Sequence, residues 1–179
     1  MGPRKLGTAA AAGDLSLVKQ FLRDGSDPNE RVPSTGHFPL CGAAHYGHVR
    51  VVRHLLKHGA RINTRTQCGG TALFSAAYRG HLPVVRALLE AGAQPNLGIY
   101  HCDFGPWSNR KGYTALHMAA EYGYVRILNE LVDGGANTNA RDSLKWTPVD
   151  AAIKSKKYRA ACYLLSRGGK SRSTWNFGG

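Results

Sequence analysis

The chain has 179 residues, of which 42% are hydrophobic and 20% charged, so it is long enough for one full core or a stack of short repeats. Twenty-four Lys and Arg against eleven Asp and Glu give a formal net charge of +13, which points to an anionic partner and says nothing about fold. No apolar run approaches the roughly 18 residues of a membrane span. Cys41, Cys68, Cys102 and Cys162 form no C-x-x-C pair. The start lacks an apolar leader, and Leu6 stands where myristoylation needs Ser or Thr. A reducing, intracellular setting is therefore expected.

In chain order, one pattern recurs: a pair of small residues, a Gly three positions on, then an apolar run ending in two bulky residues and another Gly. It runs Ala9-Ala10, Gly13, Phe21-Leu22, Gly25, then Ala43-Ala44, Gly47, Leu55-Leu56, Gly59. It returns as Ala76-Ala77, Gly80, Leu88-Leu89, Gly92, and as Ala119-Ala120, Gly123, Leu131-Val132, Gly135. A degraded fifth copy reads Ala152-Ile153, Lys156, Leu164-Leu165, Gly168. The first Gly positions are spaced by 34, 33, 43 and 33, which is a 33-residue period with one ten-residue insertion.

Each copy predicts an inner helix, a turn, an outer helix and an outward loop or short hairpin. Thr71, Thr114 and Thr147 suit the N-cap of the inner helix. Pro39 and Pro148 suit its first position, where a missing N–H costs nothing. The alanines keep the inner helix thin, and Gly47, Gly80 and Gly123 suit its left-handed end. Val49, Val52, Leu55 and Leu56 have helical spacing and are expected to form a buried stripe, with Leu89 equivalent to Leu56. One such unit cannot bury its apolar face alone, so stability is expected from stacking.

The repeat resembles the ankyrin repeat. The T-P-L-H tetrapeptide of that family appears as Thr71-Ala72-Leu73-Phe74, Thr114-Ala115-Leu116-His117 and Thr147-Pro148-Val149-Asp150, and is weakened to Phe38-Pro39-Leu40-Cys41 in the second copy. The family's Asn past the outer helix recurs as Asn29, Asn63, Asn96 and Asn139. The resemblance implies an all-α ankyrin-repeat solenoid over residues 1–168, with repeats at about 4–32, 33–65, 66–108 including the insertion, 109–141 and 142–168. A basic tail, 169–179, follows. The first and fifth copies depart from the pattern as capping repeats do: Arg4-Lys5-Leu6-Gly7 replaces the tetrapeptide, and Lys156 and Lys145 replace the inner-helix and finger glycines.

Enzymatic readings fail on the residues. Gly169-Lys170-Ser171 resembles the end of a phosphate-binding loop, but Leu164 stands where the first Gly is required. His48, His81 and His117 occupy family positions where histidine makes structural hydrogen bonds, with no nucleophile in register. His101, Cys102 and Asp103 in the insertion, with Cys68, could attract zinc. Their spacing matches no zinc pattern and a fourth ligand is missing, so no metal, cofactor or small-molecule substrate is expected.

The resemblance places a partner on the concave side, along the finger tips and the exposed side of the inner helices. The residues at those positions are His45, Tyr46, Tyr78, Arg79, Glu121 and Tyr122 on the helices and Tyr113 and Trp146 on the fingers, with Arg110, Lys111, Lys145 and Lys154 as basic neighbours. Tyr, Trp and Arg make effective interface anchors. Tyr is also frequent at the Tyr46 and Tyr122 position in this family, so those two alone mean little. In the insertion, Ile99, Tyr100, Phe104 and Trp107 either fold back on the fingers or enter a partner.

Charge is uneven. Arg31 to Leu89 contains eight basic residues and no acid, and Lys154 onward contains seven and none. Arg50, Arg53, Lys57 and Arg86 on outer helices, and Lys154, Lys156, Lys157, Arg159, Arg167, Lys170 and Arg172 near the C-terminus, are candidate anion-binding residues. Lys154 to Arg159 also reads as a nuclear-localisation stretch. The expected partner is a protein within a larger complex. The alternative is the RNA of a ribonucleoprotein, such as a ribosomal particle, contacted through the basic outer helices and tail.

Overall fold

A computed structural model describes residues 5–32, 37–100 and 109–172. These residues hold ten α-helices and no β-strand. The chain divides into two compact units, Met1–Gln94 and Pro95–Gly179. The first contains α1 (Leu6–Ala12), α2 (Leu15–Arg23), α3 (Pro39–His45), α4 (Val49–Lys57), α5 (Ala72–Arg79) and α6 (Leu82–Glu90). The second contains α7 (Ala115–Tyr122), α8 (Val125–Asp133), α9 (Pro148–Lys154) and α10 (Tyr158–Ser166).

In the first unit the inner helices α1, α3 and α5 pack in series, each against its own outer helix, and α2, α4 and α6 pack behind them. In the second, α7 packs on α9 and α8 on α10 in the same way. The alanine pairs allow the close approach of the inner helices: Ala43, Ala44, Ala76, Ala77, Ala119 and Ala120 have no exposed surface. Thr71 caps α5 by accepting from the Phe74 amide at 3.2 Å, and Thr147 caps α9 by accepting from Asp150 at 3.3 Å.

The turn between paired helices shows why glycine is needed there. Gly13 and Gly47 have φ of +75° and +80°. The imidazole of the next repeat lies against each: a Cβ on Gly13 would sit 2.5 Å from His48, and one on Gly47 2.8 Å from His81. His48 Nε2 reaches the Ala11 carbonyl oxygen at 3.0 Å, and His81 Nε2 reaches that of His45 at 3.0 Å. One missing side chain therefore permits both a left-handed residue and an inter-repeat hydrogen bond. In the fifth copy Lys157 takes the histidine's place, its stem against Gly123.

The asparagines form a second tie. Asn29 donates to the Gly59 carbonyl at 3.0 Å and accepts from the Arg61 amide at 2.7 Å. Asn96 does the same with Gly135 and Asn137, and Asn139 with Gly168 and Lys170. Through that last pair, the chain beyond α10 follows the path a further repeat would take. Gly169 is buried, Thr147 Oγ1 donates to the Lys170 carbonyl at 2.7 Å, and Ser171 Oγ donates to Asp150 at 2.6 Å.

The buried stripe of the outer helices differs from the expected one. In α4 it is Val51, Val52 and Leu55, each at most 1% exposed, whereas Val49 and Leu56 are half-buried. Likewise Leu88 is buried and Leu89 is half-buried in α6. Five apolar residues in nine cover more than one helix face, so spacing alone does not say which edge faces the inner helix. Truncation costs of about 2–5 kcal/mol belong to Leu55 and Leu88, and smaller ones to Leu56 and Leu89.

Candidate partner-binding surfaces

On the first unit, the last turns of α3 and α5 present His45, Tyr46, Tyr78 and Arg79. Tyr46 is 58% exposed, with its ring edge-on to His45 at 4.9 Å. Arg79 donates to His45 Nε2 from Nε at 3.0 Å and lies 2.8 Å away through Nη2, and its guanidinium sits 5.2 Å from the Tyr78 ring centre. Burial, followed by the Arg79 charge, holds the His45 pKa below its ordinary value. A neutral His45 is therefore an acceptor that fixes Arg79 beside two tyrosines.

On the second unit, the corresponding residues divide. Tyr122 is 39% exposed and stacks on Tyr124 at 5.9 Å. Trp146 is half-buried, with the Lys154 ammonium 4.5 Å and the Arg172 guanidinium 5.8 Å from its ring centre. Tyr113 was expected at the surface and is instead fully buried. Its hydroxyl donates to Glu121 at 2.5 Å, so Glu121 is occupied inside the unit. Burial, then the Glu121 charge, pushes the Tyr113 pKa well up.

Arg110 departs from expectation for the same reason. It is 8% exposed and paired with Asp142, whose side chain is fully buried. Its guanidinium lies 4.3 Å from the Tyr113 ring centre and 4.7 Å from that of Trp146. Asp142 Oδ1 also accepts from the Leu144 amide at 2.9 Å and the Trp146 amide at 2.8 Å, shaping the finger turn. Beside this pair, His117 Nδ1 accepts from the Thr114 amide at 3.2 Å, which leaves Nε2 to donate to the Trp146 carbonyl at 3.0 Å. Burial lowers the His117 pKa to about 4. The only sequence signal for this core was the interleaving of charge with aromatics on the two fingers.

The insertion lies partly within the described residues. Ile99 is buried, its amide donating to the Tyr113 carbonyl at 3.0 Å, so it packs locally. Tyr100 is 50% exposed. Phe104, Trp107, His101, Cys102 and Asp103 lie outside the described residues. Among the described residues no group of three or more His, Cys, Asp or Glu could hold a metal ion, and no helix is long and apolar enough to cross a membrane. Burial pushes the Cys41 thiol up to about 12, which leaves it unreactive.

The anion-binding candidates are all exposed on the outer helices, the fifth repeat and the C-terminal stretch: Arg50, Arg53, Lys57, Arg86, Lys154, Lys156, Lys157, Arg159, Arg167, Lys170 and Arg172. Some have acidic neighbours. Arg53 lies 3.8 Å from Glu90, and Arg167 pairs with Asp133. Arg172 donates from Nη1 to the Leu144 carbonyl at 3.2 Å.

Paired helices in register, histidine and asparagine ties between repeats and glycine-ended inner helices define an all-α repeat solenoid of the ankyrin class. The chain belongs to the ankyrin-repeat family: the family model described as ankyrin repeats (3 copies) matches residues 6–99 and 97–173. It is also similar to the ankyrin repeat-containing protein P1E11.10 of Schizosaccharomyces pombe, with 36% identity over 66 residues. That stretch is 37% of this chain and spans about a third, 31%, of the relative. Ankyrin repeats are generally protein–protein interaction modules.

Proposed function

We propose that this chain is a non-enzymatic interaction module that holds a protein partner on the exposed side of its inner helices. His45, Tyr46, Tyr78 and Arg79 form the contact set of the first unit, and Tyr122, Trp146 and Lys154 that of the second. Tyr100 supplies a further exposed aromatic. The observation that carries this reading is the placing of cations against rings on this face, Arg79 held on His45 beside Tyr78 and the exposed Tyr46, and Lys154 over Trp146, where the rings can lose water against a partner at low entropic cost. The exposed Arg50, Lys57, Arg86, Lys156, Lys157 and Arg159 support a second reading, contact with RNA phosphates.

The two readings separate by salt. Phosphate contact adds roughly 0.7–0.9 to the log–log salt slope per neutralised phosphate. With the partner purified from the native source, the protein reading expects a shallow slope, survival of the complex under nuclease, and the greatest loss from Tyr78→Ala with Tyr122→Ala. A steep slope, loss on nuclease treatment, and greatest sensitivity to Lys156→Glu, Lys157→Glu and Arg159→Glu would overturn it in favour of RNA.

A further inference from the structure

The first unit contains a hollow of about 240 Å³ whose lining includes Gly7, Val32, His37, Gly42, His45 and Ser75. No lining residue is Asp, Glu, Lys or Arg. A cavity of about 150 Å³ suffices for a benzene ring in other proteins, so one large side chain fits here. The hollow opens where Thr8, His37 and Tyr46 are exposed.

Its floor includes Gly42, in the middle of α3. Glycine there weakens a helix relative to alanine, so a reason is needed. Packing supplies one for Gly7, where a Cβ would come within 2.0 Å of Val32 Cγ2. It supplies none for Gly42: a Cβ would lie 3.4 Å from the Ala11 Cβ, an ordinary contact, and the backbone is helical. What the missing Cβ preserves is depth in the hollow. On balance the mouth is cationic, since Lys5, Arg31 and Arg79 outnumber the one acid nearby among the described residues, Glu30. The Arg31 charge acts on His37, and Arg79 is hydrogen-bonded to His45. No acidic residue occurs between Arg31 and Leu89.

We propose that this hollow is an anchor pocket for one aromatic or large aliphatic side chain carried on an acidic peptide segment of the partner. The apolar floor takes the side chain, and the guanidinium groups of Arg31 and Arg79 face the acidic residues that flank it. This deepens the protein-binding reading and rests on it.

The test uses the full chain and a fluorescein-labelled peptide of three glutamates, one phenylalanine and three glutamates. Matched peptides carry alanine in place of the phenylalanine, or lysines in place of the glutamates. Burial of a phenyl ring predicts that the phenylalanine peptide binds roughly ten- to hundredfold more tightly than the alanine peptide, with the lysine peptide weaker still. Gly42→Leu, which fills the floor, should erase the phenylalanine–alanine difference, and Ser75→Leu should do the same from another wall. Gly42→Ala should leave the melting temperature unchanged or raised and weaken the phenylalanine peptide only in part. Equal binding of the phenylalanine and alanine peptides would overturn the proposal, as would undiminished binding to folded Gly42→Leu and Ser75→Leu variants. Binding of a twelve-nucleotide uridine probe that is lost on Gly42→Leu would overturn it in favour of a nucleobase occupant. If the native protein partner binds the Gly42→Leu variant normally yet is lost from the tyrosine variants, the pocket fails and the wider protein-binding reading stands.

Discussion

The same repeat frame is filled in opposite ways in the two units. In the first, the inner-helix position five residues before the turn glycine carries Thr8, Gly42 and Ser75, and a hollow of about 240 Å³ lies over them. In the second, the matching residues are Met118 and Ala151, both buried. There the polar side chains have moved inward: Arg110, Asp142, His117 and Thr147 are buried, with Tyr113 among them. The first unit leaves its apolar floor open to solvent and its cations at the edge. The second uses aromatic rings to enclose an ion pair. A repeat family thus specifies where helices lie and leaves the use of the finger and inner-helix positions to each copy.

The sharpest way to test this contrast is to break the enclosed pair. Asp142→Ala removes the partner of Arg110 and the acceptor of two finger amides, leaving an uncompensated buried charge. A loss of about 3–5 kcal/mol is expected. Denaturant melts should show it, and hydrogen exchange should place the largest loss of protection in 109–147. Removing the surface pair through Glu90→Ala in the first unit should cost less than about 1 kcal/mol, because Arg53 and Glu90 are 65% and 68% exposed. Equal effects would mean that Arg110 and Asp142 are not the enclosed pair described.

His117 sharpens the contrast through pH. Its folded pKa of about 4 lies below the ordinary value of 6.5, so the unfolded chain binds the proton first as pH falls. Its contribution is complete above about pH 6.5 and is lost as the pH falls toward 4, by an amount on the order of 3 kcal/mol. His117→Gln should be less stable at pH 7 and should show a shallower loss between pH 6.5 and 4.5. An unchanged pH slope would show that the other depressed histidines, His37, His45 and His54, carry the effect instead.

The smallest effect concerns turns. The second unit places Lys145 and Lys156 at φ of +64° and +57°, whereas the first uses Gly69 and Gly47 at the matching positions, with φ of +82° and +80°. A side chain in this region is disfavoured by roughly 1–2 kcal/mol, partly offset by the greater freedom of glycine in the unfolded chain. Lys145→Gly and Lys156→Gly should each raise stability by about 0.5–1 kcal/mol in thermal melts. If both lysines serve an acidic or phosphate-bearing partner, the stabilised variants should bind it less well.

Much of this was legible in the residues. The 33-residue period, the threonine caps, Pro39 and Pro148 at helix starts, and the structural roles of His48, His81 and His117 are all present in the fold. These features are local or recur at a fixed spacing, and each expresses a backbone requirement that few residue types meet: a free amide to cap, a left-handed turn, a thin helix. The asparagine ties belong with them, since the same amide meets the same two backbone groups in successive copies.

What only the tertiary structure decided was the direction of individual side chains. Arg110 sits at a finger position where either face is available and turns inward because Asp142, 32 residues away, offers a buried counter-charge, and Tyr113 is buried with its ring against that guanidinium and its hydroxyl on Glu121. Leu55 is buried and Leu56 is half-buried because the adjoining helices cover one edge of α4 more than the other. The hollow over Gly42 exists because its neighbours Ala11 and Ser75, from the flanking repeats, are small as well. Periodicity is a property of one segment and can be read along it. Burial of a particular side chain depends on what fills the space opposite, and that is supplied by residues a full repeat away.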